Sequence, residues 1–221
     1  MLYGIIADIH GNLEALDVVL RELRPADRLI CAGDIVGYGP NPNECLQLIR
    51  GRNVQAIAGN HDKAAVGLMD TSRFNDSARR AIEWTGDQLT QANRKYLTDL
   101  PLLLESPDFQ VVHGSLRSPL DEYIFGLQAA SPTFEIMSKD LLFVGHTHVP
   151  LRLKEKGKEI INPGAVGQPR DGDPRASFGL YDSGKRSFIF RRVEYNVAAV
   201  QEKMRIAGLP ASLIERLRAG V

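Results

Sequence analysis

Short apolar runs that stop abruptly at polar residues recur along about two thirds of the chain. Leu2 to Ala7 closes on Asp8, Leu29 to Ala32 on Gly33-Asp34, Val54 to Ala58 on Gly59-Asn60-His61, Phe109 to Val112 on His113, and Leu141 to Val144 on Gly145-His146. Unbroken apolar runs of this length predict strands buried on both faces. Between the first two, Leu13, Leu16, Leu20 and Leu23 recur at helical spacing and end before Pro25. That pattern predicts a strand–helix–strand unit of about 30 residues and therefore a parallel sheet. Asn41-Pro42-Asn43-Glu44 supplies an N-cap, a proline at the first helical position and an early acid, and Gly51 closes that second helix. Open α/β sheets hold their ligands at the C-terminal ends of the strands, which is where Asp8, His10, Asp34, Asn60 and His61 fall.

The rhythm breaks over residues 63–104. Asn75 to Leu100 is charged and amphipathic, with Ala78, Ile82, Leu89, Tyr96 and Leu100 as inward positions and Pro101 as its boundary. This predicts a helical insertion that either caps the site or covers one sheet face as an ordinary crossover pair. Leu116 to Lys139 reads as loop or short helix. After Pro150 the pattern turns to hairpins, Leu151 to Lys154 with Glu159 to Ile161, and Phe178 to Tyr181 with Ser187 to Val193. The switch from parallel units to hairpins predicts a second sheet packed on the first. From Val197 the chain is helical, interrupted at Gly208-Leu209-Pro210, and is expected on an outer face.

Charge narrows the partners. Lys+Arg and Asp+Glu both number 27 in 221 residues, so no net field draws the protein to nucleic acid or an anionic membrane. A dedicated nuclease is not favoured, and only a local basic groove would revive one. No stretch approaches the ~20 apolar residues of a membrane span, and the N-terminus enters a strand without a basic leader. Cys31 and Cys45 have no metal-like spacing and read as buried thiols, which places the protein in the cytoplasm. A homo-oligomer is compatible with this composition.

The histidines carry the chemistry. All five, His10, His61, His113, His146 and His148, stand at the polar ends of apolar runs. A lone histidine there is more often structural than a ligand; five together, with Asp8, Asp34 and Asn60 at matching ends, reverse that judgement. Asp8 and His10, like His146 and His148, are two apart, so an extended backbone would point each pair the same way. Asp, Asn and His without a thiolate suit manganese, iron, zinc or nickel better than a structural zinc.

Asp8-Ile9-His10, Gly33-Asp34, Gly59-Asn60-His61-Asp62, His113-Gly114 and Gly145-His146-Thr147-His148 stand in an order that resembles the five signature blocks of the calcineurin-like metallophosphoesterase superfamily, small prokaryotic phosphodiesterase type. The resemblance implies a single domain over 1–221 with residues 63–104 inserted. Its fold class is α/β, two packed mixed β-sheets flanked by helices in an αββα sandwich. It implies two divalent metal ions, one held by Asp8, His10 and His148, the other by Asn60, His113 and His146, with Asp34 bridging. A water shared between such ions loses a proton near neutral pH and attacks phosphorus. His61 is then the proton donor to the leaving group or a stabiliser of the transition state, with Asp62 orienting its imidazole or capping the following helix.

For substrate contacts, Arg170 or Arg175 and the backbone of the Asn162-Pro163-Gly164 segment would meet phosphate oxygens, while Tyr38 would stack on a base or simply pack. Asn12 would touch substrate or, preferably, cap the first helix. Protein serine/threonine phosphatases follow Gly-Asp with Asp-Arg-Gly; here Ile35-Val36-Gly37 follows, against that activity. The expected partner is a small phosphodiester or nucleotide. A dinucleoside polyphosphate hydrolase, a phosphomonoesterase and a non-catalytic interaction protein on the same fold are the alternatives. A dinucleotide-binding module is excluded, since no Gly-x-Gly-x-x-Gly follows the first strand.

Overall fold

The structure is a computed structural model that describes residues 1–221. In chain order the elements are β1 (Leu2–Ile6), α1 (Leu13–Glu22), β2 (Arg28–Cys31), α2 (Pro42–Gly51), β3 (Gln55–Ala56), α3 (Asn60–Ala65), α4 (Asp76–Gln88), α5 (Gln91–Asp99) and β4 (Leu103–Glu105). There follow β5 (Gln110–Val112), α6 (Leu127–Ile136), β6 (Leu141–Phe143), β7 (Leu151–Glu155), β8 (Lys158–Asn162), β9 (Ala176–Asp182), β10 (Ser187–Val193), α7 (Val197–Ile206) and α8 (Ala211–Ala219).

Alternation along the strands builds the layers. Ile5, Ile30, Phe109, Val111, Phe143 and Ile161 share one aromatic-rich core between two sheets. Their neighbours point outward: Ile6 and Cys31 toward α1 and α2, Val112, Leu142 and Ile160 toward α6. The result is a helix–sheet–sheet–helix stack, as period-two strands with two apolar faces require.

Both sheets have five strands, in the orders β10-β9-β1-β2-β3 and β4-β5-β6-β8-β7. The expected second sheet packed on the first is present, and the two C-terminal hairpins divide between the sheets. β9 runs antiparallel to β1, with Leu2 opposite Asp182, and β8 runs parallel to β6, with Leu142 opposite Ile160. Each hairpin therefore extends a parallel core and makes its sheet mixed. Edge strand β4 begins just past Pro101, at the end of the inserted stretch, and pairs with β5. The stretch read as loop or short helix contains α6, which carries Pro132 within it. Asn41 stands at the N-cap of α2 but its side chain makes no capping bond.

The helix pair α4–α5 packs Ile82, Leu89 and Leu97 into the core outside the first sheet. Each helix is capped locally, by Asn75 on the Ala78 N–H and by Thr90 on the Asn93 N–H. Buried Lys63 in α3 donates from Nζ to the carbonyls of Leu97, Thr98 and Leu100, at 2.9–3.1 Å. α7 and α8 pack Val200, Met204, Leu213 and Leu217 against Tyr38, Ala78 and Ala81. No helix is long and apolar enough to cross a membrane.

Candidate metal centre and active site

The backbone that presents the ligands is not extended. Asp8, His10, Asp34, His146 and His148 all have positive φ, between 49° and 68°. The two-residue spacing thus works through tight left-handed turns and not through strand alternation. Such turns cost non-glycine residues about 1–3 kcal/mol each and persist only where surroundings hold them. Here the holding bonds come from distant loops: Asp8 N–H to Gly33 O (3.1 Å), His10 N–H to Asp34 O (2.9 Å), Gly167 N–H to Asp8 O (2.9 Å) and Gly145 N–H to His113 O (2.8 Å). Gly59 has no room for a side chain, because a Cβ there would overlap the Asp34 carboxylate.

These turns gather the donors. Atoms of Asp8, His10, Asp34 and His148 lie within 4.8 Å of one another, as do those of Asp34, His113 and His146. Asn60 Oδ1 is 3.0 Å from His113 Nε2, so Asp34 is common to two groups that together contain every expected ligand.

The donor set fits metal ions on its own chemistry. Three histidines each give a ring N–H to a backbone carbonyl: His10 Nδ1 to Val36 (3.2 Å), His113 Nδ1 to Ala32 (2.8 Å) and His148 Nδ1 to Gln168 (2.6 Å). That arrangement turns Nε2 lone pairs inward, the second-sphere pattern of metal-bound imidazoles. His10 Nε2 and His148 Nε2 then face each other at 3.0 Å, an approach of two acceptors that a shared cation resolves. Asp8 Oδ2, Asp34 Oδ2 and His146 Nε2 are buried with no hydrogen-bond partner, whereas buried polar atoms are nearly always paired.

Electrostatics adds a proton count. Burial pushes the Asp8 carboxyl up to about 7. Burial also pulls His113 down, but the Asp34 carboxylate beside it outweighs that and raises it to about 9. For Asp34, burial opposes ionisation, yet His113, His61 and His10 together hold its carboxyl well below the usual range. At neutral pH the metal-free protein therefore holds a proton on His113 and part of one on Asp8. Both must leave before these atoms ligate a cation. Divalent-cation affinity should thus rise with pH to about 9, and protons released per chain should fall toward zero above that. Adding manganese to metal-free protein in weak buffer reads the count, and a pH-independent count would contradict the assignment.

Beside the donors opens a cleft of about 250 Å³, lined by Asn60, His61 and His146 on the metal side and by Tyr38, Phe74 and Tyr123 further out. The His61 ring lies 4.9 Å from His10, 4.4 Å from Tyr38 and 5.0 Å from Phe74 between centres. Burial pushes its imidazole down to about 4.

Residues 1–186 match the family model described as the calcineurin-like phosphoesterase superfamily domain. The chain belongs to that superfamily. It is 44% identical to a metallophosphoesterase of Sphaerobacter thermophilus whose crystal structure superposes with a TM-score of 0.91 over 100% of this chain and 99% of that one. It is 38% identical to the uncharacterized protein MJ0912 of Methanocaldococcus jannaschii over 99% of this chain and 98% of that protein. Phosphodiesterase YfcE of Escherichia coli K12 is 30% identical over 83% of this chain and 88% of its own length.

Within this phosphoesterase, several expected contacts have other work. The Asp62 carboxylate does not orient His61. Oδ1 accepts from Ile35 N–H (2.9 Å) and Val36 N–H (3.1 Å), and Oδ2 from Gly59 N–H (3.0 Å). It caps α3 and fastens two ligand-bearing loops together. Asp62→Asn should cost about 1–3 kcal/mol, since an amide nitrogen cannot accept these bonds; chemical denaturation checks this, and unchanged stability with lost activity would restore a catalytic role.

Asn12 caps α1 through Oδ1 on the Ala15 N–H (3.1 Å) and donates to Gly167 O (2.8 Å), so its two bonds make it a helix cap and a tie to the Gly167 loop. Arg175 is paired with Asp173 away from the cleft. Arg170 does reach the site: its guanidinium lies 5.7 Å over the Tyr38 ring, and its charge acts on Asp8, His10 and His148.

The Asn162 segment is a buttress, since Asn162 donates to Gly145 O (2.6 Å) and Thr147 Oγ1 (2.9 Å), while Val166 and Gly167 give their N–H groups to Ala7 and Asp8. Tyr123, Asp121, Arg73 and Phe74 were not legible as site residues. Neither flanking segment has a period, and only Tyr123 beside Phe125 is an unusual aromatic pair for a loop.

Proposed function

We propose that the chain is a dinuclear metal-dependent phosphodiesterase acting on a small phosphodiester. The observation that carries this reading is the inward convergence of unpartnered carboxylate oxygens and imidazole lone pairs on Asp34, beside an open cleft. Asp8, His10, Asp34 and His148 would hold one divalent ion, and Asp34, Asn60, His113 and His146 the other. Manganese is favoured and iron, zinc or nickel are alternatives. When bound, such ions supply charge for the phosphoryl oxygens and a nucleophile at neutral pH.

The chain's own residues do the rest. Arg170, which has no carboxylate partner among the ion pairs, directs positive charge at the entering phosphate. His61 faces the cleft from the first turn of α3, where its backbone N–H is fixed on Asp34 Oδ1 at 2.9 Å. The ring is neutral in the free protein, and an anionic phosphodiester beside it favours protonation, so substrate itself arms His61 as the donor to the leaving oxygen. Tyr38 packs against both His10 and His61 and keeps their rings apart from solvent. The free buried thiols of Cys31 and Cys45 accord with a reducing cytoplasm.

The name phosphodiesterase borne by the Escherichia coli relative supports a diester. A generic aryl phosphodiester should be hydrolysed with added manganese and spared with chelator. Turnover that survives exhaustive chelation, with no metal bound by elemental analysis, would end this reading.

A further inference from the structure

The cleft carries aromatic surface that phosphate chemistry leaves unexplained. Tyr123 lies flat on the His146 ring, 3.8 Å between centres and 20° between planes. Phe125 lies parallel to Tyr123 at 5.6 Å and 7°. Exposure climbs outward along this stack, from 4% at His146 to 46% at Tyr123 and 66% at Phe125. The loop that presents it is preformed, because Glu122 is clamped by Ser115 and Arg117. Across the cleft stands Phe74, with Arg73, Asn75 and Asp121 adding polar groups.

We infer that the non-leaving side of the substrate is a nucleoside, with Tyr123 and Phe125 as the shelf on which its base stacks; this rests on the phosphodiesterase reading above. The aromatic surface that Tyr123 and Phe125 leave in water gains by covering, and a flat base covers it while its phosphate reaches the metal side. Base–aromatic stacking contributes about 1–3 kcal/mol. A plain hydrocarbon would need no polar rim. Asp121 accepts from base or sugar N–H and O–H groups, and Asn75 and Arg73 donate to ring nitrogens and carbonyls. At ~30 Å³ per water, the cleft has the volume of about eight waters, on the scale of one base and its sugar. The zero net charge also argues against a polynucleotide.

The test uses two diesters with one leaving group, the p-nitrophenyl ester of thymidine 5′-phosphate and methyl p-nitrophenyl phosphate, on the manganese-loaded protein. The nucleoside ester should have the higher kcat/KM by about tenfold or more, mainly through KM. Tyr123→Leu and Phe125→Ala should each pull the ratio toward one, and Tyr123→Phe should keep it. Phe125 does not touch His146, so its ratio reads the shelf even if Tyr123→Leu disturbs the ligand.

A wild-type ratio near one, or a ratio indifferent to both truncations, would overturn the shelf. If neither ester turned over, the phosphodiesterase reading would fail instead. Calorimetry of thymidine 5′-phosphate against methyl phosphate would still judge the shelf, and equal affinities would overturn it.

Discussion

Asp34→Asn should strip metal from both halves of the centre and lower turnover by at least about 10³-fold, roughly 4 kcal/mol of transition-state stabilisation. Asp34 Oδ2 lies 3.5 Å from His10 Nε2 and 3.4 Å from His113 Nε2, one imidazole from each donor group. The amide keeps the shape, and its oxygen can still accept the His61 N–H that Oδ1 accepts now. What it loses is the shared negative charge. A second readout follows in the metal-free protein. His113 is lifted to about 9 because the Asp34 charge outweighs burial, so without that charge its titration should move down in pH. Elemental analysis, kinetics and histidine proton titration check these together. Full metal loading with near-normal turnover would show that Asp34 is not the common ligand.

His61→Ala should behave differently: metal content survives while kcat falls by about 10²–10⁴-fold, the usual worth of a positioned proton donor. The loss should be greater for a diester with an alkoxide leaving group than for one releasing nitrophenolate, which needs no proton. The pH profiles add the sign. A donor must be protonated, so rate falls as pH rises through its pKa. Burial holds His61 at about 4 in the free protein, whereas the bound anion raises it. The alkaline fall of kcat should therefore lie at higher pH than that of kcat/KM, and His61→Ala should abolish this fall. Loss of metal in the variant would make His61 a ligand instead.

What the sequence showed and hid follows from where each signal lives. Buried strands announce themselves as apolar runs, so every ligand-bearing strand end was visible, and the histidines stood out because all five shared that position. The left-handed turns at Asp8, His10, His146 and His148 were not visible, since only the fold supplies the distant carbonyls and amides that hold them. Hairpin pattern fixes which strands pair with each other but not which sheet edge they join, so the two packed mixed sheets were legible while the places of β9–β10 and β7–β8 in them were not. Asp62 invited a catalytic role by standing next to His61, yet its partners are backbone amides 26 and 27 residues upstream. Arg170 and Arg175 looked equivalent in composition. The nearby Asp173 neutralises one of them, whereas the other turns toward Tyr38.

Lys63 gives the insertion a mechanical meaning. Its ammonium ties the helix that bears Asn60 and His61 to the last carbonyls of α5. The turn that bears His61 and the surface helix pair should therefore open and close as one cooperative unit. Amide exchange in α3 should keep pace with that in α5, and loosening the distant helix end would quiet the chemistry before the sheets themselves gave way.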